Sequence, residues 1–345
     1  MTISGEFMSP IKKSTAIILV AIVSSVSIIS VYYYYVSVVW RTENRLTVGY
    51  LYNFFHMVGL SMKDRGVLGD YLPGWTIDYK RFSSGTALRD SMIAGTVDIG
   101  FVGCGPFLSG LEQGAEWKVA MATAHWTAAH VCTLVTSNDE VESLGDLDGL
   151  RVNMLSPCSM LHISMAMACD LFPEADLGME DMEETWTKAG DALALIQTGD
   201  IDAGWFTIPY NYMATKAGCR VLLDTADIGD RLGSDISMTL VVVMRKFHDE
   251  HFDAYEKFLQ AYNETMHWVK SHPNETAEIA KRGEYFQVTE NIIDTAIQDV
   301  VKALDPVPHN VIVVVNQWMY DNGYISKVFK REEVFYCEAI VMGAT

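Results

Sequence analysis

The chain has 345 residues, half of them hydrophobic, and its 25 basic and 44 acidic side chains give a formal charge of −19. That length supports two lobes with cores of their own, and that composition excludes a chain dominated by disorder. The acidic balance argues against a nucleic-acid binder and against adsorption to anionic lipid, so an anion site has to be built locally from dipoles and a few donors. Lys12 and Lys13 precede an uncharged run from Ser14 to Trp40, with Tyr32–Tyr35 towards its end. The run exceeds the ~20 residues that a bilayer-spanning helix needs. The basic flank predicts residues 1–13 on the cytoplasmic side and a transmembrane anchor over 14–40, with a cleaved signal peptide as the alternative. Beyond the linker RTENR, LTVGYLYN (46–53) predicts a first strand that runs into a helix through Asn53, Phe54, Phe55 and His56. WTIDYKRF (75–82) predicts a second strand.

The stretch SSGTALRDSMIAGTVDIGFVGCGPFLSG (83–110) then combines two helix-start loops. Ser83, Ser84, Gly85 and Thr86 supply cap oxygens and a flexible backbone, and Leu88, Met92 and Ile93 give the following helix an apolar stripe. Gly95 ends that helix, VDIGFV reads as a strand, and the loop Gly103, Cys104, Gly105, Pro106 opens the next helix. Helix N-termini offer free N–H groups and a partial positive charge, which suits an anionic or strongly polar ligand.

The ordered run F-x-S-G-T-A…A-G-x-V-D-I-G-F-x-G…P resembles the substrate-binding proteins of ATP-binding-cassette (ABC) importers, in the nitrate/sulfonate/taurine group with its thiamine-pyrimidine-precursor-like members. The resemblance continues along the chain to about residue 330. KVAMATAHW (118–126) is a strand ending at Trp126 and Thr127, and HVCTLVTSN (130–138) reads as the strand that leaves the first lobe. S-L-x-D-L-x-G-x-x-V (143–152) is typical of such proteins where they enter a second lobe. The loop Ser156 to His162 matches their G-S-x-x-H at Ser159 and His162, with Cys158 in the place of glycine. DALALIQTGDIDAGWFTIPY (191–210) repeats the logic of 87–106, which puts Trp205, Phe206, Thr207 and Tyr210 towards a cleft. DRLGSDISMTLVVVMRKF (230–247) holds the return strand, with Asp235 near the second crossover, and amphipathic helices follow.

The resemblance implies a type II periplasmic-binding-protein fold in the α/β class: two α/β lobes joined by two crossing strands, preceded by one N-terminal transmembrane helix. Lobe I would take 41–138 and 236–345, and lobe II 139–235. It further implies a solute-binding protein, not an enzyme, on the extracytoplasmic face of the membrane, or periplasmic or secreted if the leader is cleaved. Its cargo would be a small organic or oxyanionic solute, sulfonate-, taurine-, nitrate- or pyrimidine-like, handed to permease and ATPase subunits, with no cofactor and no metal. Ligand contacts are expected from Asn53, Phe55, His56, Ser84, Gly85, Thr86, Cys104 and Gly105 on one side. Trp126, Thr127, Ser156, Ser159, His162, Trp205, Thr207, Tyr210 and Asp235 complete the set.

Other readings of the same residues stand beside this one. A ligand-sensing ectodomain would need a separate signalling partner. An enzyme on the same fold, such as the thiamine-pyrimidine synthase of the resembled superfamily, would carry a CCCFC motif, which is missing here along with any nucleophile elbow. Asp98 and Asp202, despite their catalytic look, read as structural residues of the helix-to-strand turns. Arg81, Arg89 and Arg151 fall outside the loops assigned to the cleft, which favours a singly charged or neutral solute, while Phe55, Trp126, Trp205 and Tyr210 favour an organic portion. The pairs His248/His251 and His267/His272 read as solvated helix faces rather than metal ligands. The sequons at Asn263 and Asn274 suit an external location, and the six cysteines read as small buried residues or as one or two disulfides.

Overall fold

The computed structural model describes residues 44–51, 53–125, 131–282, 288–304 and 310–336. The chain divides into a small unit, Met1–Arg45 with Gly74–Thr76, and a large one, Leu46–Pro73 with Ile77–Thr345. The large unit carries both sheets apart from the leading residues of two strands.

The first sheet holds β1 (Arg45–Leu51), β2 (Thr76–Phe82), β3 (Ile99–Val102), β4 (Trp117–His125) and β10 (Ser237–Met244) in the order β2-β1-β3-β10-β4. The second holds β5 (Cys132–Thr136), β6 (Arg151–Asn153), β7 (Glu183–Thr185), β8 (Ala203–Thr207) and β9 (Arg220–Asp224) in the order β7-β6-β8-β5-β9. Both sheets share one plan. β1 and β3 run parallel, as do β6 with β7 and β8, and the strand in fourth place is antiparallel to both neighbours. That strand is β10 in one sheet and β5 in the other, each the first laid down after the chain changes sheets. The outward passage therefore falls between His125 and Cys132, and β5, inside the segment expected in lobe I, pairs in the second sheet. The physical reason is the register of Leu134 opposite both Trp205 and Leu223.

Helices cover the sheets: α1 (Met57–Arg65), α2 (Val67–Tyr71), α3 (Gly85–Ile93) and α4 (Cys104–Glu112) follow the early strands. α5 (Met160–Leu171), α6 (Ala189–Thr198), α7 (Tyr210–Lys216) and α8 (Thr225–Leu232) follow those of the second sheet. The C-terminal part is helical, through α9 (Arg245–Glu250), α10 (Phe252–Ser271), α11 (Pro273–Arg282), α12 (Glu290–Ala303), α13 (Asn310–Asp321) and α14 (Arg331–Val334). It closes back on the first sheet where the Tyr336 N–H donates to the Val119 carbonyl at 3.2 Å.

Two aspartates perform the same task in the two halves. The Asp98 carboxylate accepts the Thr47 N–H at 2.8 Å, and the Asp202 carboxylate accepts the N–H of Arg151 at 2.9 Å and its Nε–H at 3.0 Å. Each clasps the start of the neighbouring parallel strand and so fixes where the opposite, carboxyl ends of the strands come out. A charge-assisted hydrogen bond of this kind is worth about 1.5–3 kcal/mol. The five described cysteines are free, and Cys337 lies outside the described residues. The expected anchor, 14–40, also lies outside them; among the described residues no helix is long and apolar enough to cross a membrane.

Candidate functional site

A cavity of about 600 Å³ opens where the carboxyl ends of strands from both sheets meet. From the first sheet it is lined by Leu51, Asn53, His56, Arg81, Phe82 and Ser83, together with Gly85, Phe101, Gly103 and Pro106. From the second come Leu155, Ser159, Met160, Leu161, Thr207 and Tyr210, and the consecutive residues Lys188, Ala189, Gly190 and Asp191. Four helices of nine residues or more, α3, α4, α5 and α6, begin on this wall. Two of these starts are already capped: Ser84 Oγ accepts the Ala87 N–H at 3.2 Å, and Ser159 Oγ accepts the His162 N–H at 3.2 Å. The starts of α4 and α6, behind Gly103 and Lys188, have no side-chain cap. At α6 the first-turn N–H groups thus remain as donors for a ligand, beside the Lys188 ammonium.

The two halves touch beside the cavity and away from it. Thr86 Oγ1 and Ser156 Oγ are 2.8 Å apart, and the Gly105 N–H donates to the Met160 sulfur at 3.2 Å. Tyr212 on α7 hydrogen-bonds Asp299 on α12, and Lys216 Nζ donates to Asn291 Oδ1 at 3.1 Å. Trp318 Nε1–H on α13 donates to Asp170 Oδ2 on α5 at 2.8 Å.

Six of the expected contact residues share the wall: Asn53, His56, Gly85, Ser159, Thr207 and Tyr210. Thr86, Ser156 and Gly105 sit at the contact between the halves, and Ser84 serves as a cap. Phe55 and Cys104 are buried; burial pushes the Cys104 thiol up to about 12, and it donates to the Ser237 carbonyl at 3.3 Å. Trp205 and Phe206 do not face the cleft. Both are wholly buried, and the Trp205 indole N–H rests on the Met165 sulfur at 3.2 Å, because β8 is covered on both faces. His162 lies off the wall: Nδ1 accepts the Cys158 N–H at 3.0 Å, and the ring meets Trp186 and Tyr324 edge-on. Burial lowers its pKa, against the pull of Glu184. Asp235 is also off the wall, its carboxylate accepting the Ile236 N–H at 2.7 Å. Trp126 and Thr127 lie outside the described residues.

Two cations belong to the wall. Arg81, at the end of β2, was expected outside the cleft; the strand's carboxyl end delivers it to the crevice instead. Lys188 was not anticipated, although 191–210 repeats 87–106 and the residues before it, 187–190, therefore occupy the slot of 83–86. Cys158, where the resembled proteins have glycine, adopts φ +55°, the left-handed region glycine favours. The Tyr210 hydroxyl is pushed up by burial and then by the Asp191 carboxylate.

Comparison with known proteins adds three findings. A family described as the NMT1-like family matches residues 41–283. A putative aliphatic sulfonates-binding protein of Bacillus subtilis is 22% identical over 252 residues, 72% of this chain and 70% of that protein. The periplasmic aliphatic sulphonate-binding protein SsuA of Escherichia coli superposes with a TM-score of 0.68 at 21% identity, covering 85% of this chain and 98% of the other. The alkanesulfonate-binding SsuA of Xanthomonas axonopodis pv. citri, bound to MOPS, gives 0.69 at 17% identity over 86% and 97% of the two chains.

Proposed function

The chain belongs to the NMT1-like family, and from that premise we propose that it is an extracytoplasmic solute-binding protein that delivers an organic oxyanion of the sulfonate type to an ABC importer. One observation carries the reading: helix N-termini from both halves, two of them without a side-chain cap, converge with Arg81 and Lys188 on a single cavity. Helix-end donors and two cations suit an oxyanion. The volume, about 600 Å³, lies in the range of pockets that enclose an organic molecule. Leu51, Phe82, Phe101 and Met160 supply apolar wall for a carbon body. The names of the relatives, which bind aliphatic sulfonates, point the same way.

The finer parts of the proposal follow from this use. The two sheets are the cores of two lobes that close on the solute, with residues 233–236 at one of the passages between them. Residues 14–40 anchor the protein outside the membrane or serve as its leader, and permease and ATPase subunits are its partners.

Thermal melting of the purified chain against butanesulfonate, taurine, nitrate and a pyrimidine tests the reading. A ligand at about 100 times its dissociation constant adds about 2.7 kcal/mol of stability. Butanesulfonate is expected to raise the melting temperature and to be recovered unchanged. A response to the pyrimidine alone would replace the cargo, and a probe recovered chemically altered would replace binding by catalysis.

A further inference from the structure

Anion capture by helix ends and cations makes no use of His56, a polar and titratable group of the wall. His56 lines the cavity, yet its side chain is so enclosed that the residue is only 3% exposed. Its Nδ1 accepts the Leu51 N–H at 2.8 Å, and its ring stands edge-on to Phe101 with centroids 5.6 Å apart. An imidazole that accepts at Nδ1 carries its proton at Nε2. Among the described residues Nε2 has no hydrogen-bond partner, and it is not one of the fully occluded unpaired atoms. Leu51 takes the Nδ1 edge and Phe101 another side of the ring, which leaves the Nε2 edge as the one by which His56 can reach the cavity it lines. A largely enclosed donor with no partner among the described residues gains from an acceptor that a ligand brings to it.

We propose that His56 is a specificity-determining residue: a fixed, neutral Nε2–H donor aimed at an acceptor atom of the bound solute. The inference rests on the solute-binding reading and adds a requirement to it. The ligand must bring a lone pair to this enclosed part of the wall, while Arg81, Lys188 and the helix ends deal with its charge. The other titratable groups on the wall are Arg81, Lys188, Asp191 and Tyr210. The groups touching His56 itself, from Leu51, Asn53 and Phe101, do not titrate. Burial also holds the ring's pKa down to about 3. Binding of a permanently charged sulfonate is therefore indifferent to pH across the ordinary histidine range.

The test uses the full chain, labelled with ¹⁵N-histidine, and butanesulfonate as the probe. Long-range proton–nitrogen spectra, assigned by loss of one ring in His56→Phe, should show the Nε2–H tautomer unchanged down to pH 5.5. Calorimetry should give a loss of about 10- to 100-fold in affinity for His56→Phe. His56→Gln, whose amide reaches the position of Nε2, should recover most of it, and melting curves establish that both variants fold. A ring protonated at Nδ1 or titrating near pH 6, or wild-type affinity in His56→Phe, overturns the proposal while the sulfonate reading stands. A wild-type protein that ignores butanesulfonate overturns the cargo class, and the contact with it.

Discussion

Trp205 fills the middle of the second half's core, and its indole N–H on the Met165 sulfur leaves no part of it for a ligand. Trp205→Ala should cost about 3–5 kcal/mol of stability, read as a lowered denaturation midpoint. It should not discriminate organic sulfonates from bare inorganic anions, and selective loss of the organic ones would return the indole to the site. His56 leaves a different signature in the free protein. Its folded pKa is depressed from 6.5 to about 3 by burial, so the unfolded chain binds a proton that the folded ring refuses. Stability from this group is complete above pH 6.5 and is lost as the pH falls towards 3. The slope is about 1.4 kcal/mol per pH unit. Denaturation of wild type and His56→Gln in parallel isolates that slope from the carboxylates, and identical slopes would show that the folded ring titrates normally.

At the scale of elements, α1 approaches the first sheet closely because residue 59 is glycine: a Cβ there would lie 2.1 Å from the Phe101 ring. Phe101 is also cavity wall and the neighbour of His56, so this helix sets the width of the site. Gly59→Ala should cost about 1–3 kcal/mol by overpacking and weaken butanesulfonate binding, measured by melting and calorimetry. Unchanged affinity would mean that Phe101 gives way on the side away from the cavity. Much of this layout was legible in the sequence, because caps, glycines and apolar periods are local. The paired strand–helix units and the structural use of Asp98 and Asp202 follow from such signals. Arg81 was not legible, since alternation along a strand tells which face a residue takes, not which end meets a crevice, whereas Lys188 was within reach of the repeat that sets 187–190 in the slot of 83–86. Trp205 misled for a related reason: in a strand covered on both faces, neighbours in sequence are both core.

At the scale of the molecule, several hydrogen bonds join the halves, at the cavity and away from it. The Thr86–Ser156 contact lies at its edge, and α12 and α13 reach across to α7 and α5 through Tyr212–Asp299 and Trp318–Asp170. The Thr86–Ser156 bond contributes only about 0.5–1.5 kcal/mol net and each bond to an aspartate about 1.5–3 kcal/mol, so, on the proposed use, a ligand that binds the joined halves more tightly can tip the balance towards them. At one point the fit leaves no tolerance. A Cβ on Gly105 would stand 2.8 Å from the Cys158 carbonyl oxygen and 3.0 Å from Ile163 Cγ1, and the carbonyl belongs to the backbone and cannot swing aside. One methyl group at residue 105 would therefore act as a doorstop. Gly105→Ala should fold with its two sheets intact yet stay ajar, so that X-ray scattering shows no contraction on adding butanesulfonate and affinity drops by about 10-fold or more. A variant that contracts like wild type would locate the jaw's true point of contact elsewhere. If the variant does stay ajar, the hydrogen atom that serves as the side chain of residue 105 is the clearance on which an open receptor becomes a shut one.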